Sequence, residues 1–335
     1  MSETYERVRR QIMGHIVSQS IVAVCEAGVP DALADRARSA ADLASELGVD
    51  ADALSRFLRV LAAEGLFHVE GEAFALTDAG HLLRTSVDGS LHHLVKLMSG
   101  EAYQVWGSAS HSLRTGTPAF DRVFGSPYFE WLADHPAAEE EFANAQAGLV
   151  ELRLLPLLER DWSTAATVVD VGGGNGALVC RLLEHAPHLK GVVLDLPHIA
   201  EEAAQTPRTP DVASRLTVTA GSFFDGVPQQ ADVYVLSQIL HDWPDDKALD
   251  ILRNCRKAMS ADGTLLIVEQ VMPSEATHHP MALLDLHMLV LLGGRERTAE
   301  AWRDLLERAG FTLHSITPGP KSCLIEARPA AGGEA

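Results

Sequence analysis

The chain has 335 residues, 47% of them hydrophobic, with 27 Lys and Arg against 46 Asp and Glu, a formal charge of −19. That length suits two domains, or one large domain with an appendage, and that charge disfavours a polyanionic partner such as nucleic acid or an anionic membrane surface. No stretch approaches the roughly 18 uninterrupted apolar residues of a membrane span, because the longest candidate, Met281–Leu292, is broken by Asp285 and His287.

The first ten residues, MSETYERVRR, carry charges where an export signal needs an apolar core. The four cysteines (Cys25, Cys180, Cys255 and Cys323) are far apart, with neither CxxC nor CxxH spacing. Neither a disulfide framework nor a metal centre is signalled, and a reducing cytoplasm is the expected compartment. From Arg7 to Leu33, apolar residues at Ile12, Ile16, Ile21, Val24 and Val29 recur at helical spacing with few charges among them. A helix so weakly polar needs a partner surface, and a second subunit would provide one.

Two short helices follow, Ser39–Leu47 and Asp52–Glu64, around Gly48, and then a small hairpin, Leu66–Leu76, turned at Gly71. This order is the winged-helix pattern. DNA binding is not its expected use, since residues 1–100 hold nine Lys and Arg against 14 Asp and Glu. A dimerisation domain over residues 1–100 is the expectation. Residues 101–160 read as a helical connector rich in aromatics, and residues 161–330 as the catalytic domain.

After Asp161 the pattern changes to short aliphatic runs (Thr167–Val171, Gly191–Leu194, Leu216–Ala220, Val233–Ser237 and Thr264–Glu269), each expected to be followed by a helical stretch. That is an α/β, Rossmann-like, doubly wound sheet. It ends with a helix, Ala299–Ala309, and two strands, Phe311–Ile316 and Ser322–Ala327, flanking a Pro-Gly-Pro-Lys turn. A terminal antiparallel hairpin is not how a purely parallel dinucleotide sheet finishes.

The run from Val168 to Ala177, VVDVGGGNGA, is an apolar strand that ends in consecutive glycines. It leaves the backbone open to a ligand at the carboxyl edge of the sheet, beside the free N–H groups of the next helix. Gly172-x-Gly174-x-x-Ala177 with Asp195 downstream also satisfies the dinucleotide fingerprint, so the loop alone does not separate NAD from another adenosine cofactor.

Further residues narrow the choice. Ser237-Gln238-Ile239-Leu240-His241-Asp242-Trp243 follows the fourth strand, and Gly294-Arg295-Glu296-Arg297-Thr298 precedes the last helix. With the DVGGG loop, Leu194-Asp195-Leu196-Pro197 and Gly221-Ser222-Phe223-Phe224, this ordered set resembles the class I S-adenosylmethionine-dependent O-methyltransferases of the plant caffeate type. Bacterial polyketide and phenazine methyltransferases belong to the same family. The resemblance covers nearly the whole chain and implies a methyltransferase sheet behind a winged-helix-like dimerisation domain, a homodimer, and S-adenosylmethionine as cofactor.

The resemblance also implies roles for particular residues. Gly172 and its neighbours, Asp170 and Gly174 among them, approach the methionine part of the cofactor, Asp195 its ribose hydroxyls, Ser222 and Phe223 its adenine ring, and Ser237 its carboxylate, with Leu196 and Trp243 also in the cofactor-binding set. Family members usually have Asp where Ser222 stands, and plant members have Lys at the place of Ser237, so both contacts here are made by neutral hydroxyls. His241 stands where the family has its general base, with Glu269 and Glu296 bracketing it. Tyr103, Trp106, Phe142, Gln146, His287, Met288 and Leu292 stand where relatives contact a small aromatic acceptor.

The chemistry suits these residue types. A phenol with an ordinary pKa of about 10 is barely ionised at neutral pH, and a histidine near 6.5 can take its proton. A carboxylate that fixes the imidazole tautomer helps it to do so. The segment also reads as a simple helix start capped by Asp242, a residue given a structural role here. The alternatives to O-methyl transfer are methylation at nitrogen or carbon, and use of the cofactor without methyl transfer, in hydroxylation, decarboxylation or a pericyclic step.

Overall fold

The computed structural model describes residues 2–147, 150–275 and 280–330. They form two compact units, one of residues 2–104 and 140–147, the other of residues 105–139, 150–275 and 280–330. Residues 101–160 are thus divided between the two.

In the first unit the apolar stretch expected as one helix is three: Glu3–Ile12, Gly14–Glu26 and Val29–Ala32. The second break is local chemistry, with Gly28 left-handed (φ 76°) and Pro30 in the first turn beyond it. Helices Ala40–Leu47 and Ala51–Ala63 are capped by the side chains of Ser39 and Asp50, which accept from the N–H groups of Asp42 (3.1 Å) and Ala53 (2.8 Å). The hairpin pairs Phe67–Glu70 with Ala73–Leu76 around Gly71, and Arg38–Ser39 adds a third antiparallel strand. Val24, Leu43, Leu58, Leu61, Phe67 and Phe74 fill its core. Each such side chain contributes about 1.5–3 kcal/mol when fully buried. Tyr5, Val8, Ile12 and Ile16 remain exposed on the first two helices, Ile12 to 72%.

The second unit is built on one seven-stranded sheet: β1 (Thr167–Val171), β2 (Lys190–Asp195), β3 (Leu216–Ala220), β4 (Val233–Ser237), β5 (Thr264–Glu269), β6 (Phe311–Pro318) and β7 (Cys323–Pro329). Their order is β3-β2-β1-β4-β5-β7-β6. The first five run parallel, whereas β7 is antiparallel to both β5 and β6. The registers Asp195 to Ala220 and Ser237 to Val268 bring the carboxyl ends of the parallel strands to one edge. Apolar clusters cover both faces, one including Tyr234, Trp302 and Phe311, the other Leu157, Trp162 and Val168. This is why the parallel strands are near-continuous hydrophobic runs.

One expected helix is missing. Residues 221–232, between β3 and β4, form none, because Gly221, Gly226 and Pro228 interrupt a segment of only twelve residues. Side chains take over the backbone accounting there. Asn254 Nδ2 donates to the carbonyls of Phe223 (2.9 Å) and Phe224 (2.8 Å), and the Tyr234 hydroxyl donates to that of Pro228 (2.7 Å). No described helix is long and apolar enough to cross a membrane.

Candidate active site

The glycine loop leaves β1 at the carboxyl edge. Gly172 N–H donates to the Leu194 carbonyl (2.8 Å), and Gly174 N–H to Asp195 Oδ2 (2.8 Å), while Asp195 Oδ1 accepts from Leu196 N–H (2.8 Å). The Asp195 carboxylate is therefore fixed between two strand ends with lone pairs to spare for hydroxyl donors. Burial raises its pKa, and the two backbone N–H groups only partly oppose that. Leu196 opens the next helix and is about one-third exposed, at 36%.

The glycines answer two different demands. At Gly172 (φ 73°) an added Cβ would stand 2.6 Å from Ile239 Cδ1, whereas at Gly174 (φ 57°) it would meet nothing within 4 Å. Gly172 is needed for packing, and Gly174 faces open space. Gly174→Ala is expected to cost only the roughly 1–2 kcal/mol of left-handed strain while weakening cofactor affinity at least about tenfold. Gly172→Ala should destabilise the fold more, and paired melting and titration calorimetry on the two variants separates these outcomes.

Asp170, the last acid of β1, is 2% exposed, and its Oδ2 has no hydrogen-bond partner among the described residues. Burial, with the nearby charge of Asp195, pushes its pKa up to about 7. A folded-state value above the unfolded 3.8 means that the native protein holds the extra proton between about pH 4 and 7. Stability is expected to fall as pH rises through that window. Asp170→Asn removes this dependence, so its melting temperature should gain on the parent protein steadily from pH 5 to pH 8 in thermal melts without added cofactor.

Beside the loop, Phe223, Phe224 and Trp243 pack edge-on, with centroids 4.8–6.1 Å apart, and Phe129 stacks on Trp243 at 5.8 Å. Phe223 Cε1 lies 3.4 Å from where a Gly172 Cβ would be, which brings this aromatic wall up to the glycine loop. Ser222 Oγ already accepts from Phe224 N–H (3.2 Å). Ser237 Oγ, at the end of β4, is buried without a hydrogen-bond partner among the described residues. Two orphaned buried oxygens, an open glycine backbone and a fixed carboxylate on one edge suit a cofactor carrying hydroxyls and charged termini.

His241 sits in a short 3-10 turn, Leu240–Asp242, immediately after β4. Glu269 closes β5, and its Oε1 accepts from three successive backbone N–H groups, those of Ile239 (3.1 Å), Leu240 (2.9 Å) and His241 (3.3 Å). Its other oxygen lies 3.8 Å from His241 Nδ1. The Nδ1–H donates to Glu296 Oε1 at 2.7 Å, both side chains being almost wholly buried. The structure thus brings His241, Glu269 and Glu296 together.

Asp242 is not a helix cap: the next helix begins at Asp245, preceded by Pro244. The proline sets the extended entry, so Asp242 stays two residues upstream, with its Oδ1 3.3 Å from His241 Nε2. Burial pushes Asp242 up to about 7 against the attraction of His241. Burial alone would depress His241, but Glu269, Asp242 and Glu296 outweigh it and raise the imidazole to about 10.

Three supporting residues escape sequence reasoning. Arg297, 2% exposed, donates to the carbonyls of Leu240 (2.7 Å) and Trp243 (2.9 Å) and pairs with Asp245 (2.9 Å), gripping the His241 turn from both sides. Asp285 Oδ1 accepts from Glu296 N–H (2.8 Å). Arg153 lies near Glu269 and Asp242, which oppose the burial that draws it down to about 10. A cation in the largely apolar helix Val150–Leu158 was the available signal for Arg153. At Gly294 an added Cβ would collide with the His241 carbonyl, so the turn carrying Glu296 rests directly on the turn carrying His241.

Of the expected acceptor contacts, Trp106, His287, Met288 and Leu292 lie in the second unit, and Tyr103, Phe142 and Gln146, each half-buried, in the first. Trp106 stacks on His287 (6.3 Å, 13°), and its Nε1–H donates to His287 Nδ1 (3.3 Å). Burial draws His287 down to about 4, so the ring is neutral at working pH, with its own N–H at Nε2.

Residues 106–312 match the O-methyltransferase domain, and residues 10–86 match the O-methyltransferase dimerisation domain. The chain is 38% identical to the phenazine O-methyltransferase PhzM of Lysobacter antibioticus over 96% of its own length and 95% of that protein's. It is 40% identical to the O-demethylpuromycin-O-methyltransferase of Streptomyces alboniger, over 97% and 89% of the two chains. The solved structure of the mitomycin 7-O-methyltransferase MmcR superposes with a TM-score of 0.91 at 31% identity, covering 98% of each chain. With a domain match over more than half of the chain and near full-length identity above 30%, the chain belongs to the O-methyltransferase family.

Proposed function

We propose that this enzyme transfers the methyl group of S-adenosylmethionine to a hydroxyl of a small aromatic molecule, phenolic or polyketide-like, with His241 as general base. The observation that carries the reading is the His241–Glu296 pair at the carboxyl edge that also holds the glycine loop. S-adenosylmethionine supplies an electrophilic methyl on a sulfonium. Asp195 would hold the ribose hydroxyls and Ser237 the carboxylate, with Phe223 and Trp243 along the adenine and Gly172 and Gly174 letting the chain approach closely. The residues present fit that group.

The protein's own part is to position and to move a proton. Glu296 holds Nδ1–H, so Nε2, which has Asp242 Oδ1 3.3 Å away, is the nitrogen that would take the acceptor's proton. With His241 near 10 and a phenol also near 10, the proton is shared almost evenly, and imidazolium with phenolate is as accessible as imidazole with phenol. Asp242 and the glutamates steady the imidazolium. His287 and Trp106, with Met288 and Leu292 on the same helix as His287, would line the acceptor, His287 offering a neutral donor to a polar substituent.

The exposed apolar face of the first helices, with the dimerisation-domain match, supports a homodimer joined through a winged-helix-like N-terminal region. The net charge of −19 argues against nucleic acid as a ligand. The proposed setting is the cytoplasm, in secondary metabolism. The test is transfer of labelled methyl from S-adenosylmethionine to a panel of phenols. Cofactor binding without transfer to any member would count against the reading.

A further inference from the structure

We propose that His241, Glu269 and Glu296 form a binding site for a zinc-class divalent ion, which switches methyl transfer off by occupying the imidazole. Among the described residues these three make the only group of its kind, with one ligand atom from each lying within 4.8 Å of the others. The carboxylates divide their labour. Glu269 Oε1 is committed to three backbone N–H groups and Glu296 Oε1 to the imidazole, whereas Oε2 of each is buried with no hydrogen-bond partner. Buried carboxylate oxygens without a donor are costly. An ion beside Glu269 Oε2 would satisfy that oxygen and replace the Nδ1–H as the partner of Glu296 Oε1.

The spacing suits a small tetrahedral ion. Zinc bonds of about 2.0–2.2 Å place neighbouring ligand atoms about 3.3 Å apart. The separations here, 2.7 Å from Nδ1 to Glu296 Oε1 and 3.8 Å from Nδ1 to Glu269 Oε2, bracket that value. One imidazole with two carboxylates leaves the fourth position open, and the nitrogen ligand favours zinc or cobalt over magnesium. The local charge favours uptake as well. Asp245 answers Arg297, which leaves Asp242, Glu269 and Glu296 facing His241 and Arg153. On binding, the Nδ1 proton passes to solvent and the ring is held by the metal in place of Glu296.

Equilibrium dialysis of the full chain against zinc chloride tests this, with cobalt(II) as a spectroscopic probe. One ion per chain is expected, with the visible absorption of tetrahedral cobalt. His241→Ala, Glu269→Gln and Glu296→Gln should each weaken zinc binding about 100-fold or more, since loss of an outer partner alone costs 10–100-fold. The exposed Glu300→Gln should change nothing. Absence of the cobalt signal in the unaltered protein, or zinc affinity indifferent to all three substitutions, overturns the site even if a variant folds poorly. The switching role rests on His241 as base: stoichiometric zinc with undiminished transfer would leave the site standing and sink that role. Absence of zinc binding, with His241→Ala inactive, would do the reverse.

Discussion

His241→Ala is expected to lower kcat by about 10² to 10⁴-fold, the usual contribution of a positioned general base, while leaving S-adenosylmethionine affinity within about twofold. The substitution removes an imidazole that contacts Glu296 at 2.7 Å and lies beside Asp242 and Glu269, away from the glycine loop's own hydrogen bonds. The pH profile is the sharper test. An unperturbed histidine would let kcat/KM level off above about pH 7. With His241 held near 10, the free enzyme and a phenolic acceptor together carry one proton too many at neutral pH. The logarithm of kcat/KM should therefore climb with a slope near one from pH 7 to about pH 9, and the slope should be lost in the alanine variant. A plateau from pH 7 upward in initial-rate measurements would show that the carboxylates do not raise the base as the geometry implies.

The largest effect on the fold is expected at Arg297. Arg297→Ala leaves the carbonyls of Leu240 and Trp243 and the Asp245 carboxylate without their shared donor, and opens a void beside Trp302, which the guanidinium overlies at 5.3 Å. Asp245 is 37% exposed and keeps Arg295, so its lost pair counts for little. Carbonyls left unpaired in the interior cost about 1–3 kcal/mol each and the void adds to that, which for a unit of this size lowers the melting temperature by roughly 10 °C. The survivors should also be slow, because the turn that carries His241 is no longer held, and misplacement by about 1 Å costs on the order of 10²-fold. Arg297→Lys keeps the charge and one hydrogen bond but cannot reproduce the fork, so it should fall between. Calorimetry with kcat measured below the melting range checks both parts. An alanine variant with parental stability would remove the clamp from the account.

What could be read from the chain follows from which interactions are local. β1 to β5 are aliphatic or β-branched runs cut by glycines and prolines, and burial on both faces makes such runs visible without knowledge of their partners. The glycine loop was legible for the same reason. Local breakers also explain the errors. Gly28 and Pro30 divide the first apolar stretch, and Gly221 with Pro228 forbids the helix expected after β3. His241, Glu269 and Glu296 were found through the resemblance, since nothing in their spacing says that they meet. Asp242 beside Nε2, Arg153 behind the cluster and Arg297 across the turn depend on segments tens of residues apart. Pairing over such separations leaves no periodic trace, and a charged residue beside a proline is indistinguishable from a cap until the turn is placed.

The position of β7 has a consequence for how this protein comes into being. The last strand enters between β5 and β6, and its first residue, Cys323, is the register partner of Glu269. The carboxylate that holds the His241 turn therefore stands on a strand whose free edge is closed only by a strand tens of residues further along the chain. A growing chain contains the complete glycine loop well before it contains β7, and until β7 is made it lacks the strand that flanks Glu269. Binding of the methyl donor can therefore precede competence, and activity should return on refolding with the non-local β5–β7 pairing, after the glycine loop has formed.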